Sequence, residues 1–302
     1  MRRQAFVLIL AASLLVDTIQ AAKTDDRAEF LQAEGAQRGV RFQVSLEKGT
    51  FVEGEPIIAA LTLTNTSDKE MILAELAHWT AVTSVVRKSG VEMPGGIELS
   101  MTAMPADLGR VFRPGESQTF YRDVSWPWSG NLPADQYILK CEYHSDPAAA
   151  GNERINWKGR IVLPDIPFEI VPPRDPKEKA ASELYRHTPY LTGEKSARHK
   201  GAIIMRGLSD PAYGGVFASS AGYRETEALR AVGDRTAYIC ALQRYVKEHE
   251  DQPYYYGLAL TSLGDALCEE GKWSQARAVY EKLPDGYYAR QLLRRCDEHL
   301  KE

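Results

Sequence analysis

The side chains that could perform chemistry are spread along the 302 residues without the spacing that catalysis or metal binding requires. No histidine pair has the H-x-x-x-H or H-E-x-x-H spacing of helical zinc sites, and no G-x-S-x-G or P-loop motif occurs. The acidic pairs Glu53/Glu55 and Glu269-Glu270 fit a solvated turn and a helix end. We therefore expect no catalytic site, no metal and no cofactor. An enzyme whose residues converge from distant positions stays open as an alternative.

Two tryptophans flank a proline in Trp126-Pro127-Trp128. Together Trp126 and Trp128 could stack on a sugar ring or on a proline-rich peptide. Indole rings bury a large area, so a core plug between two sheets is the alternative, and we prefer it.

The overall charge excludes one class of partner. Lys and Arg total 37 against 41 Asp and Glu, a formal net charge of −4. A net charge this small and negative does not attract the phosphate backbone of nucleic acids, so we expect no nucleic-acid binding. With 44% hydrophobic and 26% charged residues the composition is that of a globular protein.

The first residues have the order of a secretory signal peptide. Arg2 and Arg3 precede an apolar run, Ala5 to Val16, and the small residues Ala21 and Ala22 follow. The run is shorter than the roughly 20 residues of a membrane-spanning helix, although an uncleaved anchor is the alternative. We predict a signal peptide over 1–21, cleavage near Ala21, and export to the periplasm, cell envelope or extracellular space. No later stretch is apolar enough to span a bilayer.

The first half of the mature chain alternates with the period of β-strands. After an N-terminal segment, 22–39, with a short helix expected near 26–37, apolar residues recur at every second position from Val40 and again from Ile57. Many short strands separated by turn residues predict an antiparallel β-sandwich over 40–172. The expected strands cover 40–47, 57–64, 70–76, 79–87, 97–101, 117–124, 136–143, 154–163 and 167–171.

Three motifs in this half carry a resemblance. They are Phe51-Val52-Glu53-Gly54-Glu55-Pro56-Ile57, Phe112-Arg113-Pro114-Gly115-Glu116-Ser117 and Leu132-Pro133-Ala134-Asp135-Gln136-Tyr137. Together they resemble the immunoglobulin-like sandwiches of bacterial envelope proteins, including the proteinase-inhibitor domains of the BsuPI type. The resemblance implies fold more strongly than function. Tyr137 follows a corner that its hydroxyl could tie back to the backbone.

A proline-rich stretch separates the two halves. Pro172, Pro173 and Pro176 end the strand pattern, and we predict a linker over 173–176 that limited proteolysis can cut. Asp175 and Glu178 have capping-box spacing for a helix that begins there. The domain 177–302 has helical periodicity. Helices are expected over 177–187, 197–208, 223–232, 235–248, 253–270, 273–282 and 286–300, with a loop over 210–222.

Part of the helical domain resembles a tetratricopeptide repeat. The matching residues, between Gly257 and Pro284, are Leu260, Leu263, Gly264, Leu267, Gly271, Trp273, Ala276, Tyr280 and Pro284. Pro284 comes early, and Leu283 replaces the usual second alanine.

The repeat resemblance implies a peptide groove along its first helix. The corresponding positions are Leu258, Thr261, Asp265, Cys268 and Glu269. They could hold an extended peptide through small and acidic contacts. The alternative, which we prefer slightly, is that the Gly-rich segment 190–222 fills the groove.

The chain has four cysteines, and no two of them form a C-x-x-C motif. They are Cys141, Cys240, Cys268 and Cys296, and they allow three full disulfide pairings. Buried free thiols are as consistent with the sequence as any bridge. A bridge, if formed, is expected within the helical half, where Cys240 and Cys268 lie at similar heights on antiparallel helices and Cys296 competes.

The sequence therefore predicts a multidomain protein of the β-then-α class, with an immunoglobulin-like antiparallel β-sandwich followed by a helical domain that contains a tetratricopeptide-like hairpin. Both parts resemble binding folds, so our leading hypothesis is a non-catalytic interaction or scaffold protein of the cell envelope with a protein or peptide partner. A protease inhibitor that uses the sandwich loops is the second hypothesis, and an enzyme without a visible site is the third.

Overall fold

A computed structural model describes residues 31–76, 80–89, 109–125, 132–145, 155–188 and 191–301. A mainly antiparallel β region is followed by a helical region, as expected. The strands are β1 (Leu31–Gln37), β2 (Val40–Leu46), β3 (Thr50–Val52), β4 (Ile58–Asn65), β5 (Met71–Ala74), β6 (Ala81–Arg87), β7 (Gly109–Phe112), β8 (Ser117–Asp123), β9 (Asp135–Ser145), β10 (Gly159–Val162) and β11 (Ile166–Val171).

The strands form two larger sheets. One has the order β1-β2-β4-β8, and the other has the order β10-β9-β11-β3 with β6 paired to β9 off this path. The β3–β11 ladder is parallel, and the other ladders of both sheets are antiparallel. Side chains of both sheets share one core, in which the rings of Phe42 and Tyr143 lie 5.8 Å apart. Strands β5 and β7 pair separately.

Strand β1 corrects the helix expected near 26–37, of which residues 26–30 lie outside the described part of the chain. Arg38 and Gly39 have φ values of 49° and 79°, and Gln37 pairs with Val40 across them. Two consecutive positive φ values make the tight turn that matches the twist of a two-stranded hairpin. Pairing with β2 therefore holds Leu31–Gln37 in an extended conformation.

The remaining strand predictions are largely confirmed, with two omissions. Strands β3 and β7 carry no signal in the sequence, because they are short and lack a clear alternation. The strand expected at 97–101 lies outside the described residues. The Tyr137 hydroxyl donates a hydrogen bond to the Pro133 carbonyl at 2.8 Å, which confirms the expected corner.

The helices are α1 (Pro176–His187), α2 (Lys195–Leu208), α3 (Pro211–Gly214), a 3-10 turn (Gly215–Phe217), α4 (Ala218–Val232), α5 (Arg235–Glu248), α6 (Pro253–Glu269), α7 (Trp273–Tyr280) and α8 (Tyr287–His299). The loop expected over 210–222 is wrong in most of its length. Asp210 caps α3 by accepting from the Ala212 N–H, and α4 begins five residues before the expected Tyr223.

Helix α1 begins where the sequence predicts. Asp175 accepts a hydrogen bond from the Glu178 N–H at 2.8 Å, and Pro176 occupies the first helical position. The Glu178 carboxylate accepts from the Arg174 N–H, one residue before the position that a capping box uses. The cap fixes the chain direction at the end of the β region.

The two regions contact each other directly. Val52 of β3 is buried in a cluster with Ala181 and Tyr185 of α1, and the Ser182 hydroxyl donates to the Glu53 carbonyl at 2.8 Å. At the other end of the helical region, Arg290 pairs with Glu75, whose side chain is 1% exposed. The proline-rich connection therefore joins regions that pack together.

Candidate functional site

A cavity of about 640 Å³ opens among residues of α4, α5, α6, α7 and α8. Ligand pockets typically measure about 300–1,000 Å³, so this volume fits several residues of a peptide. The lining residues combine cationic, acidic, hydroxyl and aromatic groups, and they are Arg230, Gly233, Arg235, Tyr238, Ser262, Asp265, Ala266, Cys268, Glu269, Trp273 and Arg295. We call this the helix-end cavity.

Two turns built into the sequence shape the helix-end cavity. Gly233 has a φ of 80° and ends α4, and Asp234 then caps α5 by accepting from the Ala237 N–H at 3.0 Å. Gly271, with a φ of 71°, makes the turn between α6 and α7. Both turns need the left-handed backbone conformation that glycine adopts without strain.

The α6–α7 hairpin is unusually close at Gly264. A Cβ atom at Gly264 would lie 2.1 Å from Cε1 of Tyr280, so only glycine admits this ring. Tyr280 and Ala276 are fully buried between the helices. The two helices therefore approach closely at Gly264, one of the residues that match the repeat pattern.

One wall of the cavity is a network around Asp265. Its Oδ1 accepts from the Arg295 Nη2 at 2.6 Å and from the Tyr280 hydroxyl at 2.7 Å. The Arg295 Nη2 also lies 2.8 Å from the Tyr280 hydroxyl oxygen and 3.7 Å from the Cys268 Sγ. Burial and the hydrogen bond to Asp265 raise the pKa of Tyr280, so it remains a neutral donor. The network orients Arg295 from α8 toward α6.

The opposite wall is held by Arg235 and two tyrosines. Arg235 pairs with Glu269 and donates to the Ala266 carbonyl, which covers a carbonyl in the last turn of α6. The hydroxyl of Ser262 hydrogen-bonds the side chains of Tyr223 and Tyr238, and burial raises the pKa of both phenols. These contacts leave Arg230, whose side chain is 60% exposed and pairs with Glu227, at the mouth.

An aromatic surface completes the cavity. The Trp273 ring stacks on the His299 ring with centroids 3.9 Å apart and an interplanar angle of 15°. Stacking between α7 and α8 fixes the indole in one orientation, which suits it to contact an apolar or planar group of a ligand.

The expected groove residues divide between two sides of α6. Asp265, Cys268 and Glu269 line the helix-end cavity, whereas Leu258 and Thr261 do not. The Thr261 hydroxyl donates to the Gly257 carbonyl at 3.0 Å along its own helix. The cavity-facing residues of α6 are Ser262, Asp265, Ala266, Cys268 and Glu269, a set that shares three residues with the expected face. None of the described residues of 191–222 lines this cavity.

The cavity residues that sequence reasoning missed come from four different helices. Arg230, Arg235, Trp273 and Arg295 are far apart in the chain, and their spacing carries no signal of convergence. Trp126 and Trp128 lie outside the described residues. In the described part of the chain there is no group of three or more His, Cys, Asp and Glu side chains that could hold a metal ion.

The cysteines occupy three different environments. Cys141 is buried in the β core, Cys240 is exposed on α5, and Cys268 and Cys296 are buried in one helical cluster. Burial raises the pKa of Cys141 to about 12, so this thiol is unreactive at neutral pH.

Comparison with known proteins returned no match, either among protein-family models or among curated sequences. Within the described ranges, no helix combines the length and apolar character needed to cross a bilayer.

Proposed function

We propose that this chain is an exported, non-catalytic interaction or scaffold protein of the cell envelope, whose helical region binds a peptide segment of a partner protein. The observation that carries the proposal is the helix-end cavity, in which guanidinium donors, acidic acceptors and an ordered indole face one space. Such a mixture fits an extended peptide, which offers backbone donors and acceptors together with alternating side chains. The signal-peptide pattern at the start of the chain supports export.

The fold proposal joins an immunoglobulin-like sandwich, residues 40–172, to a tetratricopeptide-like hairpin, residues 257–284. Support for the sandwich comes from the strand order. β2, β4 and β8 are neighbours in one sheet, and β6, β9 and β11 are neighbours in the other, as are strands A, B, E and strands C, F, G of immunoglobulin domains. The Tyr137 hydrogen bond has the geometry of the tyrosine corner of that fold.

Support for the repeat-like hairpin comes from α6 and α7. They pack closely through Gly264, Ala276 and Tyr280, and Gly271 turns the chain between them. α8 then packs on α7, as a terminal helix that covers the end of a repeat stack would do. Both modules are binding folds in other proteins, which agrees with an interaction role.

Affinity capture with matched variants tests the function. The mature chain is immobilised and incubated with envelope extract, beside Glu269→Trp and Glu281→Trp. Both glutamates are at least half exposed and pair with an arginine of the same hairpin or its neighbour, but only Glu269 lines the cavity. The captured partner should fall at least about tenfold for Glu269→Trp, since a bulky ring blocks the mouth.

The control decides the interpretation. Equal capture by wild type, Glu269→Trp and Glu281→Trp, with unchanged helical circular dichroism, would remove the cavity as the binding site. Equal loss for both variants would indicate a general effect on the hairpin surface and would also contradict the proposal.

A further inference from the structure

Two of the four thiols meet between α6 and α8. Cys268 and Cys296 belong to one buried cluster of the helical region, where their thiols interact, and the two residues are 8% and 0% exposed. The neighbouring Arg295 side chain reaches to 3.7 Å from the Cys268 Sγ, which independently places this turn of α8 beside the end of α6. The structure therefore selects one pair where the sequence left Cys240 and Cys296 as competitors for Cys268.

We propose that Cys268 and Cys296 form a disulfide in the exported protein, which clips α8 onto α6 and fixes one wall of the helix-end cavity. Two thiols buried in one cluster are an arrangement from which a bridge can form with little movement, and exported proteins meet an oxidising compartment. The role at the cavity rests on the proposed function, but formation of the bond requires only exposure to an oxidant.

The oxidant is a disulfide-bearing oxidoreductase or oxidised glutathione, and the exchange balances in two steps. The Cys268 thiolate, which faces the cavity, attacks one sulfur of the oxidant disulfide and releases one thiol. The Cys296 thiolate then attacks the Cys268 sulfur of the mixed disulfide and releases the second thiol. Two protein thiols lose two protons and two electrons, and the oxidant gains both.

Accessibility sets the order of these steps. Cys268 lines the cavity, whereas Cys296 is fully buried, so an oxidant reaches Cys268 first. Burial beside Cys268 raises the pKa of the Cys296 thiol. The second step should therefore accelerate as the pH rises.

The bond would have a structural consequence because it spans α7. It closes the chain from Cys268 to Cys296 into one loop and leaves Arg295 held against Asp265. Restricting the unfolded chain in this way raises the melting temperature of the helical region, by roughly 5–10 °C for a domain of this size.

Differential alkylation of the folded mature chain tests the proposal. The chain is first equilibrated with excess oxidised glutathione, alkylated under native conditions, unfolded, alkylated with a second reagent, reduced, and alkylated with a third. Cys141 should take the second label, Cys268 and Cys296 only the third, and the exposed Cys240 the first label or, where it has formed a mixed disulfide with glutathione, the third. Peptide mapping without reduction should find the Cys268–Cys296 linked peptide, with a mass about 2 Da below the sum of the two thiol peptides.

Single variants make the result specific. In Cys268→Ser, the buried Cys296 should take the second label, and in Cys296→Ser, Cys268 should stop at the mixed disulfide with glutathione and be recovered as that adduct, with no linked protein peptide. If Cys268 and Cys296 of the wild type carry the first or second label after oxidation, or if the linked peptide contains Cys240 or Cys141, the proposal is wrong. Neither readout uses a partner, so failure of the bond and failure of peptide binding are distinguishable.

Discussion

Gly264→Ala is the substitution for which the structure makes the most pointed prediction. Alanine normally stabilises the interior of a helix by about 1 kcal/mol relative to glycine. At Gly264, however, the added Cβ would lie 2.1 Å from Cε1 and 2.5 Å from Cζ of Tyr280. The substitution should therefore destabilise the helical region, opposite to the effect of helix propensity.

The magnitude follows from what holds the Tyr280 ring. Ordinary van der Waals contact needs 3.4 Å or more, so the ring or the helix must move by more than 1 Å. Overpacking of this kind costs about 1–3 kcal/mol, and displacement of the ring weakens a hydrogen bond to Asp265 worth about 1 kcal/mol. After the gain of about 1 kcal/mol in helix propensity, we expect a net loss of about 2 kcal/mol.

Gly257→Ala is the matched control because Gly257 lies in the same helix and a Cβ atom added there would meet no atom within 4 Å. We expect it to stabilise the helical region by about 0.5–1 kcal/mol. Urea unfolding, followed by circular dichroism at 222 nm, measures both variants on the mature chain. Opposite signs for the two alanines are the expected result.

Repeating Gly264→Ala in a Tyr280→Leu variant separates crowding by the tyrosine ring from other causes of destabilisation. Tyr280→Leu removes the atoms that crowd Gly264, so the loss of unfolding free energy caused by Gly264→Ala should be smaller there by about 1 kcal/mol or more. A stabilising Gly264→Ala, or an equal cost in both backgrounds, would refute the close approach of α6 and α7.

Three further results are expected. Tyr137→Phe should lower the stability of the β region by about 1 kcal/mol in urea unfolding, because it removes the hydrogen bond to Pro133; an unchanged midpoint would contradict the corner. Burial raises the pKa of Glu55 above its usual 4.5 despite the ion pair with Lys48, so its contribution to stability is greatest below that value and is lost as pH rises through the folded pKa. Glu55→Gln should therefore gain stability relative to wild type as the pH rises above about 4.5, and a pH-independent difference would count against this. Cleavage near 172–177 should leave the two fragments associated in gel filtration, since β3 and α1 share a buried cluster; free fragments would be the contrary result.

The sequence predicted the helices and strands whose periodicity and end residues lie within the element itself. Strand β2 alternates buried apolar and partly exposed residues along its length, and α5 has its cap, its apolar face and a glycine before its start. Strand β1 was missed because Leu31–Gln37 has no such alternation and is extended by pairing with β2. α4 extends back through Ser220 and Gly222, because tertiary packing overrides their poor helix propensity.

The candidate site was predictable only in part, for a related reason. The repeat resemblance identified Asp265, Cys268 and Glu269, since all three lie on a single helix. Arg230 and Arg295 join them only through the packing of α4 and α8, which no spacing in the sequence specifies.

Photo-crosslinking from the helix-end cavity tests the central claim most directly. A benzophenone amino acid replaces Glu269 in one variant and Glu281 in another, and cells that export the full-length chain are irradiated. We predict a discrete adduct with an envelope protein from position 269, with the cross-linked peptide in an extended segment of that partner, and no such adduct from position 281. Absence of an adduct at 269 in a folded, exported chain, or the same adducts from both positions, would contradict peptide binding at this cavity.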